Sequence, residues 1–116
     1  MKLPNAENAV IDIAKLRDYS LNPNHPVGKH KARVFLEKLG IARNDAERLR
    51  EQILEAVLTG EATEGKPTAY GRRFVVDFQI RVDEQFKFVL SHATIRSAWI
   101  IRNDEDFPRL TSCFIP

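Results

Sequence analysis

The stretch Arg73-Phe74-Val75-Val76-Asp77-Phe78-Gln79-Ile80-Arg81-Val82 decides the fold. Phe74, Val76, Phe78, Ile80 and Val82 alternate with Arg73, Val75, Asp77, Gln79 and Arg81. A period of two puts the first set on one face of an extended chain, so this is a strand with one buried face. Upstream the period is different. Ala32, Phe35, Leu36 and Leu39 stand at i, i+3, i+4 and i+7, the spacing of a core-facing helix over about Lys29 to Leu39. Gly40 follows as its C-cap, and Lys38 suits the negative end of the helix dipole.

Two more helices flank that one. Ile13, Leu16 and Tyr19 recur at three-residue steps behind Asp12, a suitable N-cap. That helix ends before Leu21-Asn22-Pro23-Asn24-His25-Pro26-Val27-Gly28, whose prolines, asparagines and glycine make an ordered loop. The third helix is expected to start at Asn44, with Asn44 and Glu47 as a capping-box pair. Ala46, Leu49, Ile53, Ala56 and Val57 keep the helical period, and Gly60 closes it.

Downstream, Glu61 to Tyr70 reads as a connection with room for a short strand. Asp83-Glu84-Gln85 reads as a turn and Phe86 to Leu90 as a shorter strand. Thr94 to Arg102 is a long strand, and Arg109 to Ile115 is the last, with Pro108 fit only for its start. Helices followed by strands predict an α+β fold: about three N-terminal helices packed on a three- to four-stranded antiparallel meander. At 116 residues the chain is expected to be a single domain, 1–116.

The lone cysteine, Cys113, excludes an internal disulfide and a Cys-rich zinc site, and its apolar neighbours Phe114 and Ile115 make it a buried hydrophobe. No apolar run is long enough to span a bilayer, and the first residues carry no signal-peptide pattern, so a soluble cytoplasmic protein without membrane contact is expected. The net charge of +2 conceals a gradient. Ile13 to Arg43 holds seven basic and two acidic residues, and Asn44 to Glu64 holds two basic and six acidic ones. A basic face of this kind attracts a polyanion such as RNA, although many such faces are merely solvated.

The densest group of reactive side chains is His25, Lys29, His30, Lys31 and Arg33, in a loop and the first turn of a helix. With Ala32 and Phe35 facing the core, His30 points away from it, to solvent or to a cleft, and Lys31 sits on the flank. A histidine there can act as a general acid or base near neutral pH. On the sheet, Arg96 and Thr111 are candidates to hold a scissile phosphate, with Arg109 and Ser112 beside it. Trp99 is a core residue by the commoner reading and a base-stacking platform by the rarer one. His25 and His30 have no carboxylates at ligand spacing, so no metal and no cofactor are expected.

The segments Lys15-Leu16-Arg17-Asp18-Tyr19, Asn24-His25-Pro26-Val27-Gly28-Lys29-His30-Lys31-Ala32, Ser97-Ala98-Trp99 and Pro108-Arg109-Leu110-Thr111-Ser112 resemble a family of small bacterial proteins defined only as a domain of unknown function. The resemblance covers nearly the whole chain. More loosely, the chain looks like the barnase, EndoU, colicin and RelE group of ribonuclease folds. That likeness implies a metal-independent, toxin-like endoribonuclease acting on RNA and paired with a cognate antitoxin or other protein. It gives His30 or His25 the acid/base role. Lys31, Arg33 and Arg96 would hold phosphate, and Thr111 or Ser112 would position the substrate. The rival expectation is a non-catalytic binding module for a protein or nucleic acid. An enzyme of the first kind needs a histidine within reach of Arg96 or Thr111 across a cleft.

Overall fold

The alternation at Phe74 becomes strand β2, Gly71–Gln79, with Phe74 and Val76 buried and Arg73 and Asp77 exposed. A computed structural model of the chain describes residues 1–80 and 93–116. The continuation of that strand to Val82, the turn at Asp83, the strand Phe86 to Leu90 and His92 lie outside the described residues. Strand β2 pairs antiparallel with β1, Ala62–Glu64, and with β3, Thr94–Arg102. Strand β3 pairs with β4, Arg109–Phe114, so the four strands run in sequence order as a meander. Ile95, Ser97, Trp99 and Ile101 face the core, while Arg96 and Ala98 lie on the opposite face.

The helices cover the core face. Helix α1, Lys29–Leu39, buries Ala32, Phe35 and Leu39 and ends on Gly40 at φ 71°, a left-handed conformation that glycine adopts without steric cost. Helix α2, Ala46–Thr59, buries Leu49, Ile53 and Val57. Ahead of them, Leu16–Ser20 is a short turn of π-helix, with Leu21 N–H donating to the Leu16 carbonyl at 2.8 Å. Asp12 Oδ1 accepts from Ala14 N–H at 3.0 Å at the start of that helix. Trp99, Phe35 and Phe74 are among the largest fully buried side chains, each contributing about 1.5–3 kcal/mol by area.

Two local expectations change. Leu36 does not face the core; it is 55% exposed. The buried stripe of α1 is narrow, and Leu36, one step of roughly 100° beyond Phe35, falls on its flank. Nor do Asn44 and Glu47 cap α2. A 3₁₀ turn, Arg43–Asp45, precedes the helix, and Asp45 Oδ2 accepts from Ala42 N–H at 2.9 Å. Glu47 pairs instead with Arg50 at 2.6 Å. The extended entry at Ala42 brings the carboxylate three residues on, Asp45, to its N–H.

The N-terminal segment ties both sheet edges. Ala62 N–H donates to the Met1 carbonyl beside β1. Val10 N–H donates to the Pro108 carbonyl at 2.9 Å, and Leu110 N–H donates to Val10 at 3.0 Å beside β4. Among the described residues, no helix is long and apolar enough to cross a membrane.

Candidate functional site

Three local irregularities meet at one place. The first is the π turn, which carries Tyr19; such turns recur at functional sites. The second is the loop before α1. Gly28 lies so close to that turn that a Cβ on it would stand 2.2 Å from the Tyr19 carbonyl oxygen. Only glycine fits there without movement. The third is a bulge between β3 and β4. Ala98 pairs with Ser112 and Trp99 with Leu110, which leaves Thr111 as the extra residue. Its hydroxyl donates to the Ala98 carbonyl at 3.1 Å. A bulge re-aims side chains, and it puts Thr111 and Ser112 on the rim of the edge strand.

Lys31 joins the three. Its Nζ donates to Ser112 Oγ at 3.1 Å and, at a longer 3.4 Å, to Tyr19 Oη. The ammonium also lies over the Tyr19 ring at 4.8 Å and the Phe114 ring at 5.3 Å. Both rings attract the cation electrostatically. No carboxylate pairs with Lys31 among the described residues. Asp12, Lys15, Tyr19, Lys31, Thr111 and Ser112 line a cavity of about 520 Å³ here.

His25 stands behind this group. Its Nδ1 accepts from Val27 N–H at 3.0 Å and Gly28 N–H at 2.9 Å, and its ring meets Tyr19 edge-on at 4.8 Å. Two donors at Nδ1 require that nitrogen unprotonated, so the proton sits on Nε2. His25 thereby holds the loop and buttresses Tyr19, and it does not line the cavity.

The other expected residues are placed elsewhere. Lys29, His30 and Arg33 line a larger groove, about 780 Å³, on the opposite flank of α1. Arg96 is on the outer sheet face, where it donates to both oxygens of Asp77 at 2.9 and 3.0 Å. Arg109 donates twice to Glu105 at 2.8 Å and stacks on Phe107 at 4.9 Å. The pair spans the turn before β4, and that hydrogen bonding holds the Glu105 carboxyl below its usual range. Trp99 is 1% exposed and donates from Nε1 to Ser97 Oγ at 2.9 Å, which in turn donates to the Val76 carbonyl. It is core and offers no face for a base. Cys113 is buried in the sheet, and burial pushes its thiol up to about 12. No cavity among those described is lined both by a histidine and by Arg96 or Thr111.

The structure thus brings Lys31, Thr111 and Ser112 together and adds Lys15, which sequence reasoning gave no role, and Tyr19, which it placed only on the apolar face of the first helix. Their i, i+4 spacing on the first helix was the available signal. Comparison with curated proteins gives no match, and comparison with solved structures gives none either. A family model described as a domain of unknown function, DUF6883, matches residues 2–116, so the chain belongs to that family.

Proposed function

We propose that this protein is a metal-independent endoribonuclease of the barnase, EndoU, colicin and RelE fold group, working through Lys31. The observation that carries the reading is the setting of that ammonium, held by hydroxyls and aromatic rings and paired with no carboxylate among the described residues. A cation left unneutralised in a hydroxyl-lined cavity is well suited to a phosphate. Lys15 and Asp12 line the same cavity, so two cations against one carboxylate leave it with a net positive charge.

Cleavage would proceed by attack of the RNA 2′-oxygen on the adjacent phosphorus. The bond from phosphorus to the 5′-oxygen breaks, leaving a 2′,3′-cyclic phosphate and a 5′-hydroxyl. The 2′-hydroxyl proton passes to water. Lys31 gives a proton to the departing 5′-oxygen and regains one from solvent. Lys15 and the hydroxyl of Ser112 hold the non-bridging oxygens as their charge grows, while Thr111, whose hydroxyl donates to the Ala98 carbonyl, shapes the bulge that presents Ser112. His25 serves as a positioning residue through Tyr19, and His30, Arg33 and Arg96 take no part. The same resemblance supports a bacterial, toxin-like protein acting in the cytoplasm under the control of a cognate antitoxin.

A fluorogenic oligonucleotide with a single ribonucleotide tests this. Wild type should cleave it, the all-DNA version should survive, and Lys31→Ala should lose about 10²-fold or more in rate. Equal cleavage of the DNA version, or full activity in Lys31→Ala, would sink the mechanism. One observation favours the binding-module reading: the expected pairing of a histidine with Arg96 or Thr111 across a cleft is found in none of the described cavities. RNA bound by wild type and released by Lys31→Ala, with no cleavage by either, would establish it.

A further inference from the structure

The flank of α1 opposite Lys31 is built differently from the rest of the surface. Its groove, about 780 Å³, has Leu21, Leu36 and Ile41 along the floor and Lys29, His30 and Arg33 on the rim. Leu36 is 55% exposed there, although α1 buries its other large apolar residues Phe35 and Leu39. Most arginines among the described residues are neutralised. Arg17, Arg48, Arg50, Arg72, Arg96 and Arg109 each meet a carboxylate within the chain. On the far wall of the groove, Arg43 is held by Asp18 at 2.9 Å. Lys29, His30 and Arg33 have no ion pair or side-chain hydrogen bond among the described residues, and all three are exposed.

An apolar trough with an unbalanced cationic rim asks for a ligand that is apolar and acidic at once. RNA supplies the charge but leaves Leu36 uncovered. A membrane surface would have to reach into a concave site. A protein segment with aliphatic or aromatic anchors flanked by carboxylates satisfies both halves, in the manner of an amphipathic helix laid in a groove. From Lys29 to Leu36 the rim runs about 10 Å along the helix axis, room for some two turns of such a segment. We propose that this groove is the docking site for an acidic segment of a partner protein, with its apolar side chains on Leu36 and its carboxylates against Lys29 and Arg33. The site is separate from the Lys31 cavity, so the inference stands whether or not the chain cleaves RNA.

The test is selection of a displayed random 16-residue peptide library on the full chain, followed by affinity and NMR mapping of the enriched peptides. Enriched sequences should combine Leu, Phe or Trp with an excess of Asp and Glu, and should shift the amide signals of His30, Arg33 and Leu36. Leu36→Glu and Arg33→Glu should each weaken binding at least tenfold while melting as wild type does. Leu58→Glu, at an exposed leucine outside the groove, should bind as wild type. Lys31→Ala should also bind peptide normally, which separates this result from a failure of the nuclease reading. The proposal is overturned by any of four outcomes. Those are no enrichment, peptides without acidic excess, peptides indifferent to Arg33→Glu, and self-association through Leu36 in sedimentation, which would give the groove to a second copy.

Discussion

Helix α1 carries basic residues on both flanks, and the two flanks treat charge in opposite ways. On one, Lys31 is enclosed by Tyr19, Phe114 and Ser112, so a single ammonium is oriented by four contacts. On the other, Lys29, His30 and Arg33 stand in solvent around an apolar groove. Roughly 100° of rotation per residue separates neighbours that are contiguous in sequence. A held charge suits chemistry, because the cost of ordering it is met before substrate arrives. Loose charges on an apolar rim suit recognition, where rim charges act on encounter rate and choice of partner.

Both flanks depend on the buried stripe between them, so breaking the stripe should have the largest effect. Phe35 is fully buried, and Phe35→Ala should cost about 3–5 kcal/mol in denaturant unfolding. RNA cleavage and peptide binding should fall together. Gly28→Ala should come next. Its methyl would stand 2.2 Å from the Tyr19 carbonyl oxygen, and relieving that overlap should cost about 1–3 kcal/mol. Because the displaced group is Tyr19, cleavage should suffer more than peptide binding. Equal losses would mean that the loop and the π turn do not act on the Lys31 flank in particular. His25→Ala removes the acceptor of two backbone N–H groups and should cost about 1 kcal/mol in the same unfolding assay.

The layers of the fold were legible in the sequence because each rested on a long period. Phe74 to Ile80 could bury one face only as a strand, and Ala32, Phe35 and Leu39 only as a helix. The site was not legible in the same way. Lys31 was visible as a candidate, but its partners come from features with no period. The bulge at Thr111 shifts register by one residue, so Leu110 and Cys113, three apart, both face the core, and a period of two does not say where Thr111 and Ser112 point. The π turn at Tyr19 reads as ordinary helix in its spacing. Leu36 fits the helical template and is nevertheless exposed, since the template fixes a direction and not what lies in that direction. Arg96 looked available because Asp77, its ion-pair partner, is 19 residues away on the neighbouring strand.

Acid should separate the flanks on a smaller scale. Hydrogen bonds from Arg17 and Arg43 hold the Asp18 carboxyl well below its usual range, and Arg43 forms a wall of the groove. A depressed carboxyl contributes stability above its unfolded pKa, about 4, and loses it as pH falls toward its folded value. Stability of wild type should therefore decline below about pH 4, and Asp18→Asn should flatten part of that decline. Asp18 is exposed to solvent on its rim, so the difference is expected to be small and to shrink in high salt. An identical pH profile for the variant would show that the two arginines do not hold this carboxylate in solution.

The smallest effect should come from His30→Ala, which is also the sharpest division between the flanks. His30 is exposed, makes no side-chain hydrogen bond among the described residues and lines only the groove. Its removal should change stability by no more than about 0.5 kcal/mol, the range of ordinary surface substitutions. Cleavage of the single-ribonucleotide substrate should stay within about twofold of wild type, a change in barrier below about 0.5 kcal/mol, because His30 lies outside the Lys31 cavity. His25→Ala, five residues away, should lower cleavage through Tyr19, and its pH profile should keep the wild-type shape, since His25 positions and does not exchange the proton. If His30→Ala instead abolished cleavage while folding normally, the general base would be His30. The reacting phosphate would then have to lie in the groove, and Lys31 would return to being a structural contact between helix and sheet.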